Sequence, residues 1–335
     1  MADDTTITFR NQLLADGVIR HPDAALKPLT GGVSSEIYLV EDGDRVFVVK
    51  RALAQLRVKD EWKADVSRNR YEQEYLRVVG ALLPEAVPAL LNASPGRGYF
   101  AMEYLGDGMA NWKQLLLAGR CDSAHSTAAG TVLGRIHART WDDLGLRDRF
   151  DSTSNFHQLR TSPYLLTTGQ RNPALRDQFE AEAHRVEGNR RALVHGDFSP
   201  KNIMIGDHRI VVLDCEVAWF GDPSFDVAFL LNHLLLKSLH RPADRATLLA
   251  MAQGAWHAYA QALGQARAAE VQRPLPTLLP MLTLARVDGK SPVEYLSVEN
   301  RAVAKAFVLA YLKSPAPSLD ELLARWSDYL KKVTT

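Results

Sequence analysis

The sequence predicts an α+β fold in two parts: a small β-rich N-terminal part and a larger helical C-terminal part. Three observations carry this. Short β-branched runs, such as residues 46–49, fall in the N-terminal third. From Trp112 onward, apolar residues recur at helical spacing, first over 112–117 and then over 126–141. Within that helical part lies one hairpin pattern, residues 203–205 and 210–213 around the polar turn Gly206-Asp207-His208.

Length and composition narrow the function classes. A chain of 335 residues can form two lobes and a sizeable core. Hydrophobic residues at 46% and charged residues at 24% suit a soluble globular protein. Lys+Arg 40 against Asp+Glu 39 leaves a net charge of +1, which calls for no nucleic acid and no membrane partner. Two cysteines, Cys121 and Cys215, make no disulfide framework and fit a reducing compartment. The N-terminus is acidic and polar, unlike a signal peptide. The longest apolar stretch, 227–239, contains Asn232, His233 and Lys237 and is too short to span a bilayer. The expected location is cytoplasmic, and composition predicts no oligomeric state.

Taken in order, residues 8–19 predict a short amphipathic helix. A strand then leads into Gly31-Gly32, followed by Ser34 and Ser35, and a second strand leaves from Ile37. Backbone N–H groups at such a turn can meet phosphate oxygens, although a Gly-Gly turn alone is most often a plain hairpin. Residues 45–50 form a β-branched strand ending in Lys50. Residues 65–82 predict a helix carrying Glu72 and Glu74. A strand and turn over 87–98 precede Tyr99-Phe-Ala-Met-Glu-Tyr-Leu-Gly106, an apolar strand running into a glycine. Beyond the helices already named, residues 142–170 read as irregular and 173–190 as a charged helix.

The hairpin carries polar residues at both ends: His195, Asp197 and Asn202 before it, Asp214 and Glu216 after it. Folding the chain back brings the two sets together. Hard cations take oxygen ligands, so the set suggests a metal–phosphate site. Taken singly, such an Asp or Asn is a turn or cap residue. Asp222 before Pro223 predicts a helix N-cap with proline at the first helical position. The remainder, 243–335, predicts helices with breaks at 272–280 and 284–292. Gly289-Lys290-Ser291 is not a P-loop, because Leu284 stands where that motif needs glycine.

The spacing H-x-D-x-x-x-x-N over residues 195–202, followed by Asp214 at a strand end, resembles the catalytic loop and metal-binding aspartate of the protein-kinase-like fold. The His-Gly-Asp form, and Asp214-Cys-Glu216 in place of Asp-Phe-Gly, resemble the aminoglycoside phosphotransferase and choline kinase branch, whose members phosphorylate small molecules. The resemblance implies a two-lobed fold, with a β-rich N-lobe over 1–105 ending at a hinge and a helical C-lobe over 106–335. It implies ATP and Mg²⁺ as cofactors and a small-molecule hydroxyl as acceptor. Asp197 would be the base, with Asn202 and Asp214 as metal ligands. Gly31, Gly32, Ser34 and Ser35 would cradle phosphate, and Lys50 would pair with it, held by Glu72. Adenine would sit against Met102, Glu103 and Leu105. Glu216 is either a carboxylate near the metal or a structural group. His195 supports the loop by packing or hydrogen bonding, and Asp226 braces it from below. Arg160, Tyr164, Arg286 and Asp288 are candidate acceptor contacts.

Two departures from protein kinases matter. Gly196 replaces the arginine that reads a phosphorylated activation loop, and Glu216 lies too close to Pro223 for any activation segment. Both argue against a protein substrate. The alternative class is a catalytically silent nucleotide-binding pseudokinase or regulatory module. The presence of Lys50, Asp197, Asn202 and Asp214 together favours an enzyme. The identity of the acceptor, and ATP against GTP, are not legible.

Overall fold

The structure, a computed structural model, describes residues 4–29, 35–52 and 68–333. Gly31, Gly32 and Ser34 lie outside the described residues. The chain divides into two units, Met1–Met109 and Ala110–Thr335.

The first unit is built on an antiparallel sheet of β1 (Ala25–Pro28), β2 (Ser35–Asp42), β3 (Arg45–Ala52), β4 (Leu90–Ser94) and β5 (Tyr99–Glu103), in the order β1-β2-β3-β5-β4. Asp42 pairs with Arg45 across a two-residue turn, which works because Gly43 adopts φ +66°. Helix α1 (Asp4–Ala15) starts and stops about a turn earlier than the sequence predicts. It ends before Gly17, at φ +69°, which frees Val18 and Ile19 to join Phe9, Leu13, Tyr38, Val40, Phe47 and Tyr99 in the core. Helix α2 (Arg68–Leu82) buries Glu72, Gln73, Tyr75, Leu76 and Val79.

In the second unit, β6 (Ala110–Asn111) pairs with β8 (Ile203–Ile205), and β8 pairs with β9 (Ile210–Val212) as the predicted hairpin. Strands β7 (Ala192–Val194) and β10 (Trp219–Gly221) form a separate antiparallel pair. The helices are α3 (Trp112–Leu117), α4 (Ser123–Thr140), α5 (Leu144–Arg149), α6 (Thr153–Phe156), α7 (Thr167–Arg171), α8 (Arg176–Gly188), α9 (Pro223–His240), α10 (Arg245–Leu263), α11 (Gln265–Gln272), α12 (Leu275–Asp288), α13 (Val298–Tyr311) and α14 (Leu319–Val333). Helix α9 is the buried centre: every residue from Pro223 to Leu239 is buried. It packs against α10, α12 and α13.

Two expectations need correction. Residues 142–170 are not irregular. They hold α5, α6, α7 and, between the last two, a π-helix over His157–Leu166 with Pro163 inside it. A π-helix repeats more slowly than 3.6 residues per turn, so apolar spacing read at 3.6 misses it. The break at 272–280 shrinks to Arg273-Pro274, because α12 starts at Leu275 and carries Pro280 inside it, and the break expected at 284–292 begins only at Gly289, because α12 runs on to Asp288. No described helix is long and apolar enough to cross a membrane.

Candidate active site

In the second unit the loop between β7 and β8 is held from several directions. Asp226, one turn into α9, accepts hydrogen bonds from the backbone N–H of His195 at 2.7 Å and of Gly196 at 2.9 Å. The helix is fixed at its start by Asp222, which caps the Ser224 N–H at 3.0 Å, with Pro223 in the first turn. His195 is fully buried. Its Nδ1 lies 3.1 Å from the Asp197 N–H and its Nε2 3.1 Å from the Leu213 carbonyl. The first bond needs an acceptor nitrogen and the second a donor, which defines a neutral ring protonated on Nε2. Burial agrees, pushing the imidazole below its ordinary pKa.

Gly196 could not be another residue without movement. Its φ is +77°, and an added Cβ would meet the Val217 carbonyl oxygen at 2.8 Å. The arginine that protein kinases carry at the matching position has no room here.

The hairpin register brings the backbone of Asn202 close to that of Leu213. Ile203 pairs with Val212, and the Leu213 N–H donates to the Asn202 carbonyl at 2.8 Å. Asn202 therefore faces the residue before Asp214. The Asn202 amide donates from Nδ2 to the Asp197 carbonyl at 3.0 Å, which directs its oxygen elsewhere. Asp214 takes φ +62°, a left-handed conformation that costs a non-glycine residue about 1–3 kcal/mol. Among the described residues, no three His, Cys, Asp or Glu side chains converge on one point. An amide oxygen and a carboxylate instead fit a cation such as Mg²⁺ that completes its shell with phosphates and water. Glu216 is buried beyond Cys215, and its carbonyl accepts from Asn155 at 2.9 Å.

Asp197 is 4% exposed. Its Oδ2 lies 3.0 Å from Arg160 and 2.9 Å from Lys201. Burial favours the neutral acid, but the two cations outweigh it and hold the carboxyl below its usual range. Arg160, in the π-helix, also donates to the carbonyls of Gly196 and of Leu159, the latter at 2.7 Å. The structure thus places Arg160 on Asp197 itself. Sequence reasoning missed Lys201; its signal was a lysine four residues after Asp197 in a loop rich in acceptors.

Of the remaining candidates, Tyr164 and Arg286 meet each other. The Tyr164 hydroxyl accepts from Arg286 at 3.1 Å, and Arg286 also bonds the Ser291 hydroxyl at 2.9 Å. Asp288 bonds Asn172 at 2.9 Å and Lys305 at 2.8 Å.

In the first unit, Lys50 and Glu72 are each 3% exposed, and Nζ lies 2.7 Å from Oε1. Glu74 instead pairs with Arg77 on the helix surface. Ser35 is buried at the start of β2, opposite Ala52. Met102 sits in β5 between Val48 and Leu90. The Glu103 N–H donates to Ala89 at 2.9 Å, and Leu105 follows β5, half-buried.

Comparison with known proteins bears on the fold and the family. The fold is similar to that of Plasmodium vivax ethanolamine kinase, with a TM-score of 0.54 and 11% identity over 99% of this chain and 89% of the other. A choline/ethanolamine kinase family protein from Mesorhizobium loti gives a TM-score of 0.53 and 14% identity over 96% and 98%. The architecture is therefore the α+β, protein-kinase-like one. In sequence, methylthioribose kinase of Escherichia coli is 25% identical over 244 residues, 62% of this chain and 56% of that protein. Methylthioribose kinase of Bacillus velezensis is 26% identical over 257 residues, 68% and 64% respectively. The chain spans somewhat more than half the length of these curated relatives. The profile of the Phosphotransferase enzyme family (APH) matches residues 25–269, and the chain belongs to that family.

Proposed function

We propose that the protein is an ATP-dependent phosphotransferase that moves the γ-phosphate to a hydroxyl of a small molecule. The observation that carries this reading is the buried Asp197, paired with Arg160 and Lys201, in a loop whose Asn202 carbonyl accepts from the residue before Asp214. Family membership and the small-molecule kinases among the relatives support the same class.

Each unit is assigned its own share. In the first, Lys50 engages phosphate oxygens while Glu72 fixes its ammonium, Ser35 with Gly31, Gly32 and Ser34 before it adds phosphate contacts, and Met102, Glu103 and Leu105 serve the adenine. The Glu103 N–H is bonded to the Ala89 carbonyl, so that N–H would not be what meets the base. In the second, Asn202 and Asp214 would hold Mg²⁺, which when bound neutralises charge on the phosphates. Glu216, two residues after Asp214, would be a further carboxylate there.

Asp197 accepts the hydrogen bond of the incoming hydroxyl, orients its oxygen toward phosphorus and takes its proton late. A carboxylate held below the usual pKa range is a weak base. That suffices for phosphoryl transfer, whose loose transition state places little demand on the base. Arg160 and Lys201 keep Asp197 ionised and its carboxylate pointed. Lys201, half-exposed, sets a positive charge beside the transfer path.

Asp197→Asn keeps the shape and loses the charge. ATP consumption with a panel of hydroxyl compounds should fall by on the order of 10²-fold or more. Calorimetric affinity for Mg²⁺-ATP should stay the same and should drop in EDTA. Unchanged turnover would remove Asp197 from the chemistry; lost ATP binding would make it a metal ligand instead.

A further inference from the structure

Lys237 lies on α9, 1% exposed. Its ammonium meets the His233 carbonyl at 3.4 Å and the face of the Tyr295 ring at 4.9 Å. Among the described residues no carboxylate lies within ion-pair distance of it. The nearby acid, Glu294, is bonded to Lys113. Burying an ammonium without an anion costs several kcal/mol, and proteins ordinarily avoid it. Two more polar atoms in this neighbourhood are buried without a hydrogen-bond partner, the Tyr295 hydroxyl and Arg286 Nε. Among the described residues, then, the Tyr295 hydroxyl and Arg286 Nε have no partner, and the Lys237 ammonium has a long bond to a neutral carbonyl but no counter-charge.

This cluster is joined to the catalytic loop through one helix face. Phe229, His233 and Lys237 stand at i, i+4 and i+8 on α9, one stripe of the helix. At its near end the Arg160 guanidinium, bonded to Asp197, lies 5.8 Å from the Phe229 ring centre and 5.6 Å from that of Tyr164. Arg286 reaches the Tyr164 hydroxyl from α12. The stripe rises about 12 Å from Phe229 to Lys237. The lysine folds back along it, since its Nζ meets the carbonyl one turn earlier.

We propose that the phosphate acceptor is an anion, a small hydroxyl compound whose carboxylate or phosphate group is received by the Lys237 ammonium with help from Tyr295 and Arg286. This rests on the phosphotransferase reading above. The bound anion supplies the charge that the buried lysine lacks, and the same cations repel amines. The electrostatics agree: burial first, then Lys113 and Arg286, lower the Lys237 pKa to about 7, against weaker opposing effects of Glu294 and Cys121. An incoming anion would raise it again, so binding near neutral pH should take up a proton.

The test is calorimetry on the full chain with inorganic phosphate and a matched set: 6-hydroxyhexanoate, 1,6-hexanediol and 6-aminohexan-1-ol. The two anions should bind at least tenfold more tightly than the diol and the amino alcohol. At pH 7.5, in two buffers of different ionisation enthalpy, anion binding should show proton uptake. Lys237→Met should erase the preference and the uptake while leaving Mg²⁺-ATP affinity unchanged. Tyr295→Phe, a milder change, should weaken the anions several-fold. Equal binding across the set, no anion binding, or anion binding indifferent to both variants would overturn the proposal. Mg²⁺-ATP titrations separate the two readings: intact nucleotide binding without anion selectivity defeats this inference alone, and absent nucleotide binding defeats the phosphotransferase reading whatever the anions do.

Discussion

Lys237→Met should make the protein more stable, by an amount that shrinks as pH rises. The lysine's pKa falls from 10.5 to about 7 on folding. Each pKa unit is worth about 1.4 kcal/mol, so the full penalty is roughly 5 kcal/mol. Below about pH 7 the lysine is charged in both states, and folding carries the whole cost. Between about 7 and 10.5 the unfolded chain binds a proton that the folded one does not, so wild-type stability rises with pH. By pH 9 the remaining penalty is roughly 2 kcal/mol. Methionine fills much the same volume without charge, and replacing buried charges by hydrophobes recovers about 1–4 kcal/mol in practice. Urea unfolding at pH 6.5 and pH 9, with the second unit's tryptophans as the probe, measures both values. The variant should gain a few kcal/mol at pH 6.5 and distinctly less at pH 9. A variant less stable than wild type at pH 6.5, or a difference independent of pH, would show that the lysine is satisfied in the folded state.

Two further outcomes follow from buried geometry. Lys50→Met leaves the Glu72 carboxylate buried without its 2.7 Å partner, so it should destabilise the protein by roughly 3–5 kcal/mol, while the double change with Glu72→Leu should recover most of that and neither should bind Mg²⁺-ATP normally, as denaturation and calorimetry would show. Gly196→Ala forces an alanine into φ +77° against the Val217 carbonyl; it should cost about 1–3 kcal/mol in urea unfolding and lower turnover more than nucleotide affinity, and a variant with wild-type stability would disprove the steric account.

What the sequence shows depends on whether a local pattern carries the information. The hairpin was legible because β-branched runs and a polar turn sit within a dozen or so residues, and the Asp222-Pro223 start because caps are local chemistry. Residues 142–170 were not: a π-helix breaks the 3.6-residue rhythm, so the segment that carries Arg160 to Asp197 looked like loop. Arg160 was singled out, but only as an acceptor contact, because its partner lies 37 positions away and pairing at that range leaves no trace in spacing. The same reasoning explains Lys237. In the sequence it counts as one polar residue in an apolar stretch, the sort that argues against a membrane span. Its meaning depends on what surrounds it: α12 and the chain before α13 bring Arg286 and Tyr295 near, and among the described residues no acid within ion-pair distance. A residue satisfied by its neighbours could have been replaced by a cheaper one; a buried charge left unsatisfied in the folded chain points instead to a partner that arrives from outside, which is why the acceptor is sought among anions.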